Sequence, residues 1–167
     1  MALTVRPARQ ADAAAMAELI NAIIAIGGTT AYEDPFDTAS MDAAYISLPQ
    51  LVSCFVAEAE GIIVGFQGLM RSFDPDDPLP DGWATIGTFA RVGLTQRGVG
   101  GALFAATLQA ARDAGINVID ATIRADNTGG LAFYSRQGFV DYDRLKAVPL
   151  KNGTPVDRIR KRLDVVG

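Results

Sequence analysis

The sequence predicts an α/β protein of the α+β kind: one mixed, mostly antiparallel sheet flanked by helices, in the order β-α-α-β-β-β-α-β-α-β-β. Three observations predict it. Two apolar stretches, 54–58 and 62–70, are separated only by Ala59-Glu60-Gly61, which fits a hairpin turn. A strand–helix–strand run between 83 and 123 implies a parallel pair, because parallel neighbours need a crossover. Two segments, 13–26 and 98–114, carry apolar residues at helical spacing.

The elements follow in chain order. Leu3 to Arg6 reads as a short strand ended by Pro7. Asp12 is placed to cap a helix over Ala13 to Ile26, whose apolar face carries Met16, Leu19, Ile20, Ile23 and Ile24, and Gly27-Gly28 stops it. Thr29 to Phe36 is irregular. Thr38 to Leu48 reads as a second helix, with Asp37 or Ser40 at its start and Pro49 beyond its end. Cys54 to Glu58 and Ile62 to Met70 form the hairpin, and Ser72 to Gly82 is an acidic, proline-rich loop. Trp83 to Val92 is a strand interrupted by Gly87, where the pairing could bulge or splay. Gly98 to Ala114 is a helix with Leu103, Phe104, Thr107, Leu108 and Ala111 inward, closed by Gly115. Val118 to Ile123 is a β-branched strand, Asn127 to Gln137 a short helix, and Phe139 to Val148 and Val156 to Leu163 the last strands.

A chain of 167 residues suits one domain, residues 1–167, with a core that needs no staples. The net charge of −4 speaks against nucleic-acid binding. The single cysteine, Cys54, cannot form an internal disulfide, and no charged-then-apolar leader or bilayer-length apolar run is present, so a cytoplasmic, membrane-free protein is expected. The sequence contains no histidine. That removes Ser-His and Cys-His nucleophiles and histidine-containing zinc sites, and no metal is expected. Acid–base chemistry falls to carboxylates, Tyr, Lys, Cys54 or water.

Two segments carry chemistry. Thr95-Gln96-Arg97-Gly98-Val99-Gly100 joins a strand to a helix. Its glycines allow close backbone approach, and the free amides at a helix start form an anion site that suits a pyrophosphate, with Arg97 adding charge. The P-loop is excluded because no Gly-Lys-Ser/Thr follows, and the dinucleotide fingerprint because Leu103 stands where it needs glycine. The plain alternative is a helix start made of small residues for packing. The second segment runs from Asn127 to Phe139, with Asn127 as helix cap, Tyr134 two turns on, and Gly138-Phe139 opening the next strand. Taken alone, Tyr134 also reads as a core aromatic with its hydroxyl at the rim.

Together the two segments resemble the GNAT superfamily of N-acetyltransferases, whose cofactor loop is Gln/Arg-x-x-Gly-x-Gly/Ala and whose later signature is Asn, a small residue, Tyr, then Gly-Phe. Thr95 departs from the family at the first loop position; Asn127 through Phe139 matches without gaps. Leu3-Thr4-Val5-Arg6-Pro7-Ala8 followed by Asp12-Ala13 looks like the opening of phosphinothricin-type acetyltransferases, and Gly28-Thr29-Thr30-Ala31-Tyr32-Glu33 like their substrate-side segment. The resemblance implies a GNAT-like sheet and acetyl-CoA as co-substrate. The acetyl group passes to a primary amine, of a small molecule such as an amino acid or its analogue, by direct attack through a tetrahedral intermediate. It implies cofactor contacts at Phe89, Ala90, Thr95, Gln96, Arg97, Gly98, Val99, Gly100, Asn127 and Tyr134. Tyr134 would protonate the leaving thiolate, and Glu33, in the substrate-side segment, is the first candidate for general base, against the alternative of a solvated carboxylate. Cys54 reads as a buried strand residue rather than a nucleophile. Dimers are common in the family, and the last strands are where two copies could pair. Acetylation of a protein amine, and a non-catalytic CoA-binding sensor, are the competing readings.

Overall fold

The computed structural model describes residues 2–72, 75–94 and 97–166. Among them are seven strands and four α-helices. In order these are β1 (Leu3–Pro7), α1 (Ala13–Ile26), α2 (Thr38–Tyr45), β2 (Leu51–Ala59), β3 (Ile62–Met70), β4 (Trp83–Ala90), α3 (Val99–Asp113), β5 (Val118–Arg124), α4 (Thr128–Arg136), β6 (Val140–Pro149) and β7 (Pro155–Asp164). They build a single sheet in the order β1-β2-β3-β4-β5-β7-β6. Only β4 and β5 run parallel; every other neighbouring pair is antiparallel.

Two layers of helix cover the sheet. Met16, Leu19 and Ile20 of α1 and Met41 and Tyr45 of α2 pack on Val56, Phe66 and Phe89 from one face. On the other, Phe104 and Ala111 of α3 and Tyr134 of α4 pack on Leu69, Ile86, Ile119, Ala121 and Ile123. Alternation along β5 sends Ile119, Ala121 and Ile123 to the α3/α4 side, and so turns Asp120, Thr122 and Arg124 to the α1/α2 side.

Several sequence expectations change in detail. Asp12 stands before α1 but makes no side-chain cap to it. Its carboxylate accepts instead from the Arg9 amide at 2.7 Å and from both terminal nitrogens of Arg6 at 2.8 Å, because a 3-10 turn at Gln10–Asp12 precedes the helix. The second helix stops at Tyr45, three residues early: the amides of Ile46 and Ser47 both fold back on the Asp42 carbonyl. Its start is as expected, with Asp37 accepting from the Ser40 amide at 2.7 Å. Gly87 is no bulge, since the β3–β4 register runs unbroken from Gly65↔Ala90 to Met70↔Thr85. Gly87 lies opposite Gly68, and a Cβ on Gly68 would stand 2.7 Å from the Tyr45 ring. The two glycines make the hollow that Tyr45 fills.

Candidate active site

The site begins where the parallel pair comes apart. β4 and β5 are paired only at Trp83↔Val118, Ala84↔Ile119 and Thr85↔Asp120, and then separate while β4 continues to Ala90 and β5 to Arg124. A fixed anchor closes the apex of this split. Asp120 is 1% exposed and accepts from Thr85 Oγ1 at 3.0 Å, Thr122 Oγ1 at 3.1 Å, Arg160 Nε at 3.2 Å and the Tyr142 hydroxyl. Arg160 in turn reaches Asp77 at 2.9 Å, so a buried carboxylate is fully partnered.

A cavity of about 660 Å³ runs through the split from one face of the sheet to the other. On the α3/α4 side it is lined by Gly100, Asn127, Gly129, Gly130, Phe133 and Tyr134, and on the α1/α2 side by Ile23, Ile26, Thr30, Tyr32, Tyr45 and Phe89. α3 opens beside it. Gly98 precedes the helix in the left-handed region at φ 81°, and the first helical bond is Ala102 N–H to Gly98 carbonyl at 3.0 Å. The amides of Val99, Gly100 and Gly101 come before that bond and so lack a helical partner. A Cβ at Gly100 would lie 2.5 Å from the Phe133 ring, so glycine here lets α3 and α4 close on each other.

Tyr134 is buried and its hydroxyl lies 2.8 Å from Thr88 Oγ1, directly across the split. Thr88 Oγ1 also accepts from Gln67 Nε2 at 2.9 Å. Burial pushes the Tyr134 phenol up to about 12, so it stays protonated at neutral pH. Asn127 does two things: its Oδ1 accepts from the Gly130 amide at 2.9 Å, capping α4, and its Nδ2 donates to the Thr29 carbonyl at 2.8 Å. Arg124 donates to the Thr30 carbonyl at 3.3 Å and pairs with Asp126 at 2.8 Å. The loop after α1 is thereby tied to β5 and α4 across the cavity.

The structure brings five of the eleven expected residues together. Phe89, Ala90, Gly100, Asn127 and Tyr134 all line the cavity. Gly98 and Arg97 are exposed just before α3, and Val99 is buried against β2 and β3. Thr95 and Gln96 lie outside the described residues. Glu33 is not brought in. It is exposed, away from the lining, and its carboxylate accepts the Lys151 amide at 3.1 and 3.2 Å, turned toward the β6–β7 connection. Among the described residues no carboxylate lines the cavity. Cys54 is buried in the core, its thiol pushed up to about 12 by burial. Among the described residues no cluster of three His, Cys, Asp or Glu stands ready for a metal, and no helix is long and apolar enough to cross a membrane.

Thr88, Gln67, Tyr45 and Arg124 are the site residues that sequence reasoning missed, whereas Tyr32 falls in the substrate-side segment. A polar Gln67–Thr88 pair inside two apolar strands was the one available signal.

A strand edge left unpaired beside a glycine-opened helix, with a protonated phenol across the gap, fits an extended cofactor arm ending in phosphates. It is the architecture of an acyl-CoA-dependent acyltransferase. A model of the acetyltransferase (GNAT) family matches residues 18–139, most of the chain. The chain belongs to that family and is an acetyl-CoA-dependent N-acetyltransferase. Solved structures agree in fold. YncA of Salmonella typhimurium, solved with its cofactor acetyl-CoA, is 24% identical, with TM-score 0.84 over 99% of this chain and 95% of that one. A phosphinothricin acetyltransferase from Sinorhizobium meliloti, in complex with acetyl-CoA, is 19% identical, with TM-score 0.83 over 99% and 89%. A ribosomal-protein-alanine N-acetyltransferase from Brucella melitensis is 23% identical, with TM-score 0.82 over 96% and 99%. No curated protein matches the sequence.

Proposed function

We propose that this acetyltransferase moves the acetyl group of acetyl-CoA to the primary amine of a small molecule, such as an amino acid or its analogue. One observation carries the reading: the cavity passes through the β4–β5 split and reaches the α1/α2 side, where Ile23, Ile26, Tyr32, Tyr45 and Phe89 line it. The Sinorhizobium meliloti neighbour, a phosphinothricin acetyltransferase, supports it.

When bound, acetyl-CoA supplies an activated thioester; the chain supplies everything else. The free amides of α3 and the Arg97 charge hold its phosphates. The unpaired edge of β4 from Gly87 to Ala90 receives the pantetheine arm, and a backbone N–H there steadies the charge that develops on the thioester oxygen. Tyr134, kept neutral by burial and held by Thr88, gives its proton to the departing thiolate. The attacking amine must be neutral, and an alkyl amine with pKa near ~10 arrives protonated. With no carboxylate among the described lining residues, that proton leaves through water.

The test is thiol release from acetyl-CoA across a panel of amino acids, methionine analogues, phosphinothricin and polyamines. Tyr134→Phe is expected to lower kcat by roughly 10²- to 10⁴-fold with acetyl-CoA affinity kept within a few fold. Turnover of protein termini alone would replace the small-molecule acceptor with a protein amine. Tight acetyl-CoA binding without turnover on any acceptor would favour a cofactor sensor.

A further inference from the structure

We propose that the α1/α2 end of the cavity is built for an acceptor amine with an apolar aliphatic or aromatic body, and that Tyr32 sets this preference. The proposal rests on acetyl transfer to a small amine.

The walls carry the argument. Ile23, Ile26, Tyr32, Met70 and Phe89 line this end. Ile26 and Tyr32 are 66% and 40% exposed, so large apolar surface is presented to solvent at the rim of a pocket, where burial by a ligand would be favourable. Tyr32 is held rather than loose. Its ring stands edge-on to Phe36 at 5.0 Å and 6.2 Å from Phe89. Its hydroxyl is 2.8 Å from that of Tyr45, so the polar tip is already partnered and the ring offers an apolar face.

The charges agree. Arg124 is the one charged residue of the lining among the described residues, and Asp126 takes its Nε at 3.0 Å and its Nη2 at 2.8 Å, while the Thr30 carbonyl takes Nη1. Its charge is matched within the protein. No carboxylate among the described residues lines the pocket, and Glu33 is turned to Lys151. A second ammonium on the acceptor would therefore lose water and gain no partner, whereas an apolar body gains contact. Discrimination follows from both sides of that difference.

The experiment is thiol release from acetyl-CoA with glycine, leucine, phenylalanine, phenylethylamine, lysine and spermidine, for the native chain and for Tyr32→Ala and Tyr32→Phe. Thermal melts confirm that the variants fold. The expected kcat/KM rises at least tenfold from glycine to leucine or phenylalanine, with lysine and spermidine at least tenfold below leucine. Tyr32→Ala lowers kcat/KM for the apolar acceptors roughly tenfold or more, chiefly through KM, and spares glycine. Tyr32→Phe keeps the preference. Lysine or spermidine used as well as leucine overturns the proposal and leaves the small-amine reading standing, as does an equal loss on every acceptor in Tyr32→Ala. Failure of every small amine, with or without turnover of peptide termini, overturns both.

Discussion

Tyr134 shows how much of a catalytic property is set by surroundings. Its ring is enclosed by Phe133 at 5.0 Å and Phe139 at 5.1 Å, and that enclosure, more than any charge, pushes the phenol from near 10 up to about 12. The hydroxyl then rests on Thr88, whose oxygen is itself fixed by Gln67. An acid needs to hold its proton until the thiolate forms, and this environment does so throughout the physiological range. The same shift appears as stability. The native phenol binds its proton more tightly than the unfolded one. Its contribution is therefore complete below pH 10 and is lost as pH rises from 10 towards about 12. Melts of the native chain and of Tyr134→Phe across pH 8 to 11 test this. The native chain is expected to lose more stability above about pH 10 than the variant does. Parallel decline in the two proteins would mean that Tyr134 titrates as an ordinary exposed phenol.

At the scale of elements, small residues decide which surfaces can meet. Gly68 and Gly87 face each other across β3 and β4, and Tyr45 of α2 fills the hollow they leave. Gly68→Ala would set a methyl 2.7 Å from that ring. Overpacking of this kind costs about 1–3 kcal/mol, and calorimetry should find the melting midpoint lower by several degrees. A variant as stable as the native chain would show that α2 slides freely on the sheet. The elements themselves were largely legible, because the periodicity of α1 and α3 and the turn at Glu60-Gly61 are local signals. Ends were less so. The second strand begins at Leu51 rather than Cys54 because β3 is long enough to pair as far as Met70↔Leu51, which no local pattern records. Asp12 misled for a related reason: Arg6, six residues earlier, competes for its carboxylate. The site divides in the same way. Asn127, Gly100 and Tyr134 sit in contiguous signatures and could be read. Tyr32 meets Tyr45, and Thr88 meets Tyr134, only through the topology, and the turning away of Glu33 depends on Lys151, far off in the chain.

The whole molecule is organised around one interruption in its sheet. The Asp120 cluster ties β5 to β4 and, through Arg160, to β7, and so fixes where the parallel pair ends; beyond it the two halves of the sheet diverge and the cavity goes through. The cavity's α3/α4 and α1/α2 walls consequently lie on opposite faces and meet at Thr88, Phe89 and Tyr134; in the proposed function the first takes the cofactor and the second the acceptor. Such a layout lets both ligands be present together. Cys54 is buried in the core outside the described cavity lining, with its thiol held protonated, and the chain has no histidine to activate a hydroxyl. The proposed route is therefore direct transfer from thioester to amine within a ternary complex. Initial rates measured at several fixed acceptor concentrations are expected to give intersecting double-reciprocal lines. Cys54→Ala should keep kcat within a factor of about two, since it removes only a packed sulfur remote from the reacting atoms. Parallel lines, or an acetylated protein isolated after acetyl-CoA alone, would instead require a covalent carrier and a different route for the acetyl group through the sheet.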